Sequence, residues 1–200
     1  MRIGRSLVLV VLVFGWSTAG VQAGDAPAPK SKTKVKCADR APDFSLRDRD
    51  GNLLRLSDFC FPGPESARKK KVRVLLDFFA TDCKACKAEL PQVIEYSKKH
   101  SEDTKVLLIA IPEQEDGQAK LEAFLKDHPV PFPVLVDAYE KAAKLYVADG
   151  NSLTLPALFL IDKDGSVEAV LQGLEKDLEV ALQAARQSRP IPANKTAPAP

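Results

Sequence analysis

Nitrogen and sulfur side chains suited to binding soft metals are scarce in this 200-residue chain, which has two His, one Met and four Cys against 45% hydrophobic residues. The two histidines, His100 and His128, lie far from the one close cysteine pair, Cys83 and Cys86, and each falls where a helix is expected to end. They read as capping or surface groups rather than ligands. A structural zinc site usually takes four ligands, and a second closely spaced cysteine pair is missing. A surplus of charge is lacking as well. The formal net charge is +2, and Arg2 and Arg5 near the start account for it, so the remainder is formally neutral. Nothing in that balance attracts nucleic acid. The local run Arg68-Lys69-Lys70-Lys71 reads as a solvated loop.

Long apolar runs are also missing. The strongest, Leu7 to Trp16, is short for a membrane span. With Arg2 and Arg5 before it and Val21-Gln22-Ala23 after it, residues 1–23 predict an export signal cleaved after Ala23. That places the mature protein in an oxidising, periplasmic compartment; an uncleaved signal acting as a membrane anchor is the alternative. No cysteine closely follows the run, which argues against a lipid anchor.

Residues 24–36, rich in Ala, Pro, Ser and Lys, read as a flexible linker, and the Pro/Ala-rich residues 188–200 as a disordered tail. Between them, residues 37–187 are the expected folded domain. Asp50-Gly51-Asn52 between two short apolar stretches predicts a hairpin. Val72 to Ala80 is the continuous apolar run of a central strand. A helix is expected over 83–100, kinked or broken near Pro91. Strands are expected at 106–111, 134–136, 157–162 and 167–172, with helices at 118–127, 138–147 and 174–187. Strands alternating with helices give an α/β sheet covered on both faces.

Cys83-Lys84-Ala85-Cys86 falls where the central strand passes into a helix. Free N–H groups and the dipole at a helix start stabilise a thiolate, which makes the first cysteine a nucleophile near neutral pH. A CxxC pair can serve as a redox site, a metal site or an inert bridge, and the strand-to-helix context favours redox.

Leu76 to Cys86 resembles the thioredoxin active-site strand and turn. Ala41-Pro42-Asp43-Phe44, Cys86-Lys87-Ala88-Glu89-Leu90-Pro91, Phe132-Pro133-Val134 and Leu155-Pro156-Ala157 to Asp162 narrow the likeness to the exported TlpA/ResA-type thioredoxin-like proteins, over about 41–187. The resemblance implies a thioredoxin-like fold, with a central mixed sheet flanked by helices and an N-terminal β-hairpin. It implies thiol–disulfide oxidoreductase activity with no cofactor beyond the dithiol. Cys83 would attack, Cys86 would resolve, and Pro156 would be a cis-proline that with Leu155 shapes the substrate-docking surface. Asp77 matches the thioredoxin aspartate that takes the proton of the buried cysteine, and Glu89 matches the glutamate near the TlpA/ResA-type site. The residues themselves allow plainer readings, a strand-start proline for Pro156, an edge or capped acid for Asp77 and a solvent-facing helix residue for Glu89. Disulfide-containing extracytoplasmic proteins are the implied substrates, a membrane thiol reductase the implied electron donor, and cytochrome c-type biogenesis one implied role.

The chain departs from that pattern at three places. Asp82 and Phe79 stand where tryptophans are usual, and Ala85 where a proline is usual. An acid beside Cys83 opposes its thiolate while Lys84 and the helix start favour it, so the sign of the net shift stays open. Cys37 and Cys60 bracket the expected hairpin, and in an oxidising compartment such a pair reads as a structural disulfide, with a relay to the CxxC as the other reading. A Cu(I)-binding chaperone and a peroxiredoxin-like thiol peroxidase are the competing functions. The peroxidase reading is weakened because Thr81 precedes Cys83 by two residues, where that chemistry wants a spacing of three.

Overall fold

Burial from Val74 through Phe79 without a break requires a strand covered on both faces, and that strand organises the molecule. The computed structural model describes residues 33–61, 70–112, 116–146 and 154–188. In chain order the elements are β1 (Ser45–Asp48), β2 (Leu53–Arg55), α1 (Leu56–Phe59), β3 (Arg73–Phe79), α2 (Lys84–Lys99) and β4 (Thr104–Ala110). They continue with α3 (Gly117–Asp127), β5 (Val134–Val136), α4 (Lys141–Tyr146), β6 (Ala157–Ile161), β7 (Val167–Gln172) and α5 (Leu178–Gln187).

Seven strands form one mixed sheet in the order β2-β1-β5-β4-β3-β6-β7. β3, β4 and β5 run parallel, while the β1–β2 hairpin on one side and the β6–β7 pair on the other are antiparallel. The period-two alternation of strand side chains divides the core in two. Val74, Leu76 and Phe78 point to the face where Leu56 of α1 and Ala142, Ala143 and Tyr146 of α4 pack. There Phe78, Tyr146 and Phe159 form a ring cluster with centroids 4.8–5.8 Å apart. Leu75 and Phe79 point the other way, against Cys86, Leu90 and Val93 of α2, Leu121 of α3 and Leu178 and Leu182 of α5. Asp77 is two residues from each of these, so it shares the face that carries the cysteines.

The expected elements are present, with four instructive differences. α2 runs unbroken through Pro91. The Lys87 carbonyl loses its usual N–H partner to the proline ring, and Lys87 is exposed, so solvent is free to take that partner's place. α4 begins at Lys141 rather than 138, because the buried Asp137 carboxylate accepts from the Lys141 and Ala143 N–H groups at 2.7 and 2.9 Å. α5 begins at Leu178 rather than 174: Gly173 turns the chain at φ 86°, and Asp177 caps the helix by accepting from Val180 N–H at 3.0 Å. The end of the expected linker is packed, with Thr33 and Val35 buried and the Lys34 N–H donating to the Tyr146 carbonyl at 3.0 Å. Residues 1–32, including the expected signal, and 189–200 of the expected tail lie outside the described residues. Among the described residues, no helix is long and apolar enough to cross a membrane.

Candidate active site

The apolar drive that buries β3 delivers the chain to its carboxyl end, and α2 starts there. Cys83 is the N-cap of α2, and its Sγ accepts from the Cys86 N–H at 3.1 Å. That N–H is one of the unpaired donors of a helix start, so the same bond would stabilise a Cys83 thiolate after reduction. Cys83 and Cys86 are joined as a disulfide with their Cα atoms 5.3 Å apart. Cys83 is half-buried, whereas Cys86 is buried among Leu75, Phe79 and Leu90. One sulfur can therefore meet another protein and the other cannot. Asp82 and Lys84 flank the reachable sulfur, and both are exposed.

Asp77 is 2% exposed and Glu89 1% exposed. Among the described residues, neither Glu89 oxygen nor Asp77 Oδ1 has a hydrogen-bond partner, so no hydrogen bond to these atoms offsets the cost of placing charge there. Burial pushes the Asp77 carboxyl up to about 7. Burial first, then the negative fields of Asp77 and Glu175, push Glu89 up to about 8. Glu89 lies three residues after Cys86 on α2 and on the same flank. The solvent-facing reading of Glu89 is excluded, as is the capped-acid reading of Asp77.

The Leu155–Pro156 peptide bond is cis. Antiparallel pairing sets Phe78 against Ala157, which brings Pro156 alongside the end of β3 that leads to Cys83. Leu155 is half-buried and packs against both halves of the core, and Cys83 packs against the same half as Cys86. The Gly173 N–H donates to the Pro156 carbonyl at 2.8 Å, which fixes the other side of this edge. Two residues at the site gave no sequence signal. Glu175 carries a charge that Glu89 feels, and Gln92 binds the loop that holds Glu175. Both look like ordinary polar residues of an amphipathic stretch.

The expected Cys37–Cys60 bridge is corrected: both are free thiols. Cys60 closes α1 with its Sγ donating to the Leu56 carbonyl at 3.5 Å, fully buried in the first half of the core. Cys37 sits in a separate, half-exposed turn closed by the Asp39 N–H on the Lys36 carbonyl. Bracketing the same hairpin brings two cysteines into one region but does not aim their sulfurs. Burial pushes the Cys60 thiol up to about 12, so it is not poised as a nucleophile. His100 and His128 cap α2 and α3 as expected, His100 facing Glu179 and His128 stacking on Phe124.

A buried and a reachable sulfur at the head of a helix, on a mixed sheet with a cis-proline beside them, suit reversible disulfide exchange. Fold and site together define a thioredoxin-like thiol–disulfide oxidoreductase. The chain belongs to the AhpC/TSA family, whose model matches residues 37–170. It is 32% identical over 157 residues to the thiol-disulfide oxidoreductase ResA of Geobacillus kaustophilus, covering 76% of this chain and 79% of that one. It is 27% identical over 181 residues to the thioredoxin-like protein YneN of Bacillus subtilis, covering 90% and 94%. Among solved structures it is similar to a putative thiol:disulfide interchange protein DsbE from Chlorobium tepidum, with a TM-score of 0.60, 26% identity, and coverage of 76% and 99%.

Proposed function

We propose that this oxidoreductase works as an exported reductant of disulfides in extracytoplasmic proteins. The reduced Cys83 thiolate attacks one sulfur of a substrate disulfide, forming a mixed disulfide and releasing the other sulfur as a thiolate that takes up a proton. Cys86 then gives its proton to the ionised member of the Asp77–Glu89 pair and attacks Cys83 Sγ. The second substrate sulfur leaves as a thiolate that takes up a proton, and the protein is left with the Cys83–Cys86 disulfide. Two electrons and two protons pass to the substrate. A thiol reductase in the membrane restores the dithiol, and keeping haem-binding cysteines reduced is one task that fits.

The observation that carries this reading is the pair of unpartnered buried acids on the Cys86 side of the disulfide. An inert bridge has no use for such costly groups, and a resolving thiol needs a proton acceptor out of water. The basic start and apolar run of residues 1–23 support export. Among the described residues, no cluster of three or more His, Cys, Asp or Glu side chains is placed to hold a metal. The test is parallel incubation with insulin plus dithiothreitol and with Cu(I). Catalysed insulin reduction is expected; tight Cu(I) binding without insulin reduction would overturn the proposal.

A further inference from the structure

Gln92 ties the cysteine helix to the loop on the far side of Pro156, using both ends of its amide. Its Nε2 donates to the Glu175 carbonyl at 3.2 Å, and its Oε1 accepts from the Leu178 N–H at 2.8 Å. Gln92 follows Glu89 by three residues, so it lies on the same flank of α2, and it is half-buried. The loop it holds, residues 173–177, begins with Gly173, whose N–H holds the Pro156 carbonyl. A continuous set of contacts therefore joins the helix carrying Cys86 to the cis-proline edge. Leu174, on the same loop, is a large apolar side chain left 50% exposed.

The chemistry of the side chain matters. A neutral amide is the group that offers a donor and an acceptor side by side. Glutamate would lose the donor and add a carboxylate on the Glu89 flank of α2; methionine would keep the length and lose both bonds. Besides the apolar packing of Leu90 and Val93 with Leu178 and Leu182, the polar side-chain ties between α2 and α5 among the described residues include Lys99 and His100 to Glu179, at the opposite end of α2 from the cysteines and partly in solvent. They hold the helices together without reaching the docking edge.

We propose that Gln92 is a positioning residue for protein substrates. It holds the 173–177 loop, and through Gly173 the Pro156 edge, in fixed relation to Cys83, so that a substrate chain meets sulfur and docking edge together. The proposal rests on the reading of the protein as a reductant of protein disulfides. A small disulfide with no chain to dock does not need the edge, and this separates positioning from chemistry.

The test compares wild type, Gln92→Met and Gln92→Glu with insulin and with the small aromatic disulfide DTNB. For Gln92→Met we expect KM for insulin to rise about fivefold to tenfold, with the DTNB rate within about twofold of wild type. Amide exchange should quicken at residues 173–178. Gln92→Glu, which keeps the acceptor for Leu178, should fall between the two, and it carries the test if Gln92→Met does not fold. An unchanged insulin KM in the folded variants, or equal losses on insulin and DTNB, overturns the role of Gln92. A wild-type protein that reduces DTNB but not insulin overturns the functional reading instead.

Discussion

Glu89 on α2 and Asp77 on β3 are two buried carboxyls on the cysteine side of the sheet, and the charge of Asp77 raises the pKa of Glu89. Both titrate close to neutral pH, Asp77 at about 7 and Glu89 at about 8, with burial as the leading cause for each. Like charges in a dry site resist ionising together, so the pair holds a proton near neutrality, as the proposed exchange with Cys86 requires.

Removing that exchange should slow turnover. Asp77→Asn is expected to lower kcat for insulin reduction by at least about tenfold, within the range of general acid–base contributions, while the folded protein persists. The decisive measurement is kcat from pH 6 to 9, since the wild-type profile should bend where the pair titrates and the variant profile should flatten. An unchanged profile would remove Asp77 from the proton path.

The same acids weaken the fold as they ionise. Their folded values lie above the ordinary 3.8 and 4.5 of aspartate and glutamate, so the folded chain binds protons more tightly than the unfolded one. Stability is therefore fully present below about pH 4, falls as pH rises towards 7–8, and levels off above. The loss from Asp77 is on the order of 4 kcal/mol. Denaturant unfolding of the oxidised protein should show a midpoint that drops between pH 5 and 8.5. In an Asp77→Asn, Glu89→Gln double variant that drop should largely vanish.

Cys37 and Cys60 should be countable as thiols. In the oxidised protein a thiol reagent is expected to modify Cys37 readily, whereas Cys60, buried and with its pKa raised to about 12, should react only on unfolding. Finding no free thiol in the unfolded oxidised protein would restore a bridge between them.

Gly165 offers a control far from the chemistry. It occupies φ 85° in the turn between β6 and β7, and a Cβ there would run into the Phe61 ring. Gly165→Ala should cost about 1–3 kcal/mol in urea unfolding. Pro156 lies at the opposite end of β6, so insulin reduction at 25 °C should be unchanged.

Much of this was legible in the residues because it rests on long apolar periodicity. The run ending at Phe79 reads as a central strand, and the amphipathic stretch after the CxxC reads as a helix. Short-range polar contacts were not legible. Asp137 delays α4, and Gly173 with Asp177 delays α5, through single side-chain bonds that periodicity does not register. Pro91 reads as a break from its missing N–H, yet the cost is small where the orphaned carbonyl meets water. The direction of the Cys60 sulfur and the two-ended bond of Gln92 depend on tertiary placement, for which spacing along the chain carries no signal.

The central claim is that Cys83 attacks and Cys86 resolves. Mass spectrometry of the adduct formed when a reduced Cys86→Ala variant meets a substrate disulfide tests it most directly. A dithiothreitol-releasable mixed disulfide on Cys83 is expected, persisting because Cys86 is absent to resolve it, and a Cys83→Ala variant should form none at the CxxC pair. The absence of an adduct on Cys83, with or without one on the half-exposed Cys37, would contradict the account.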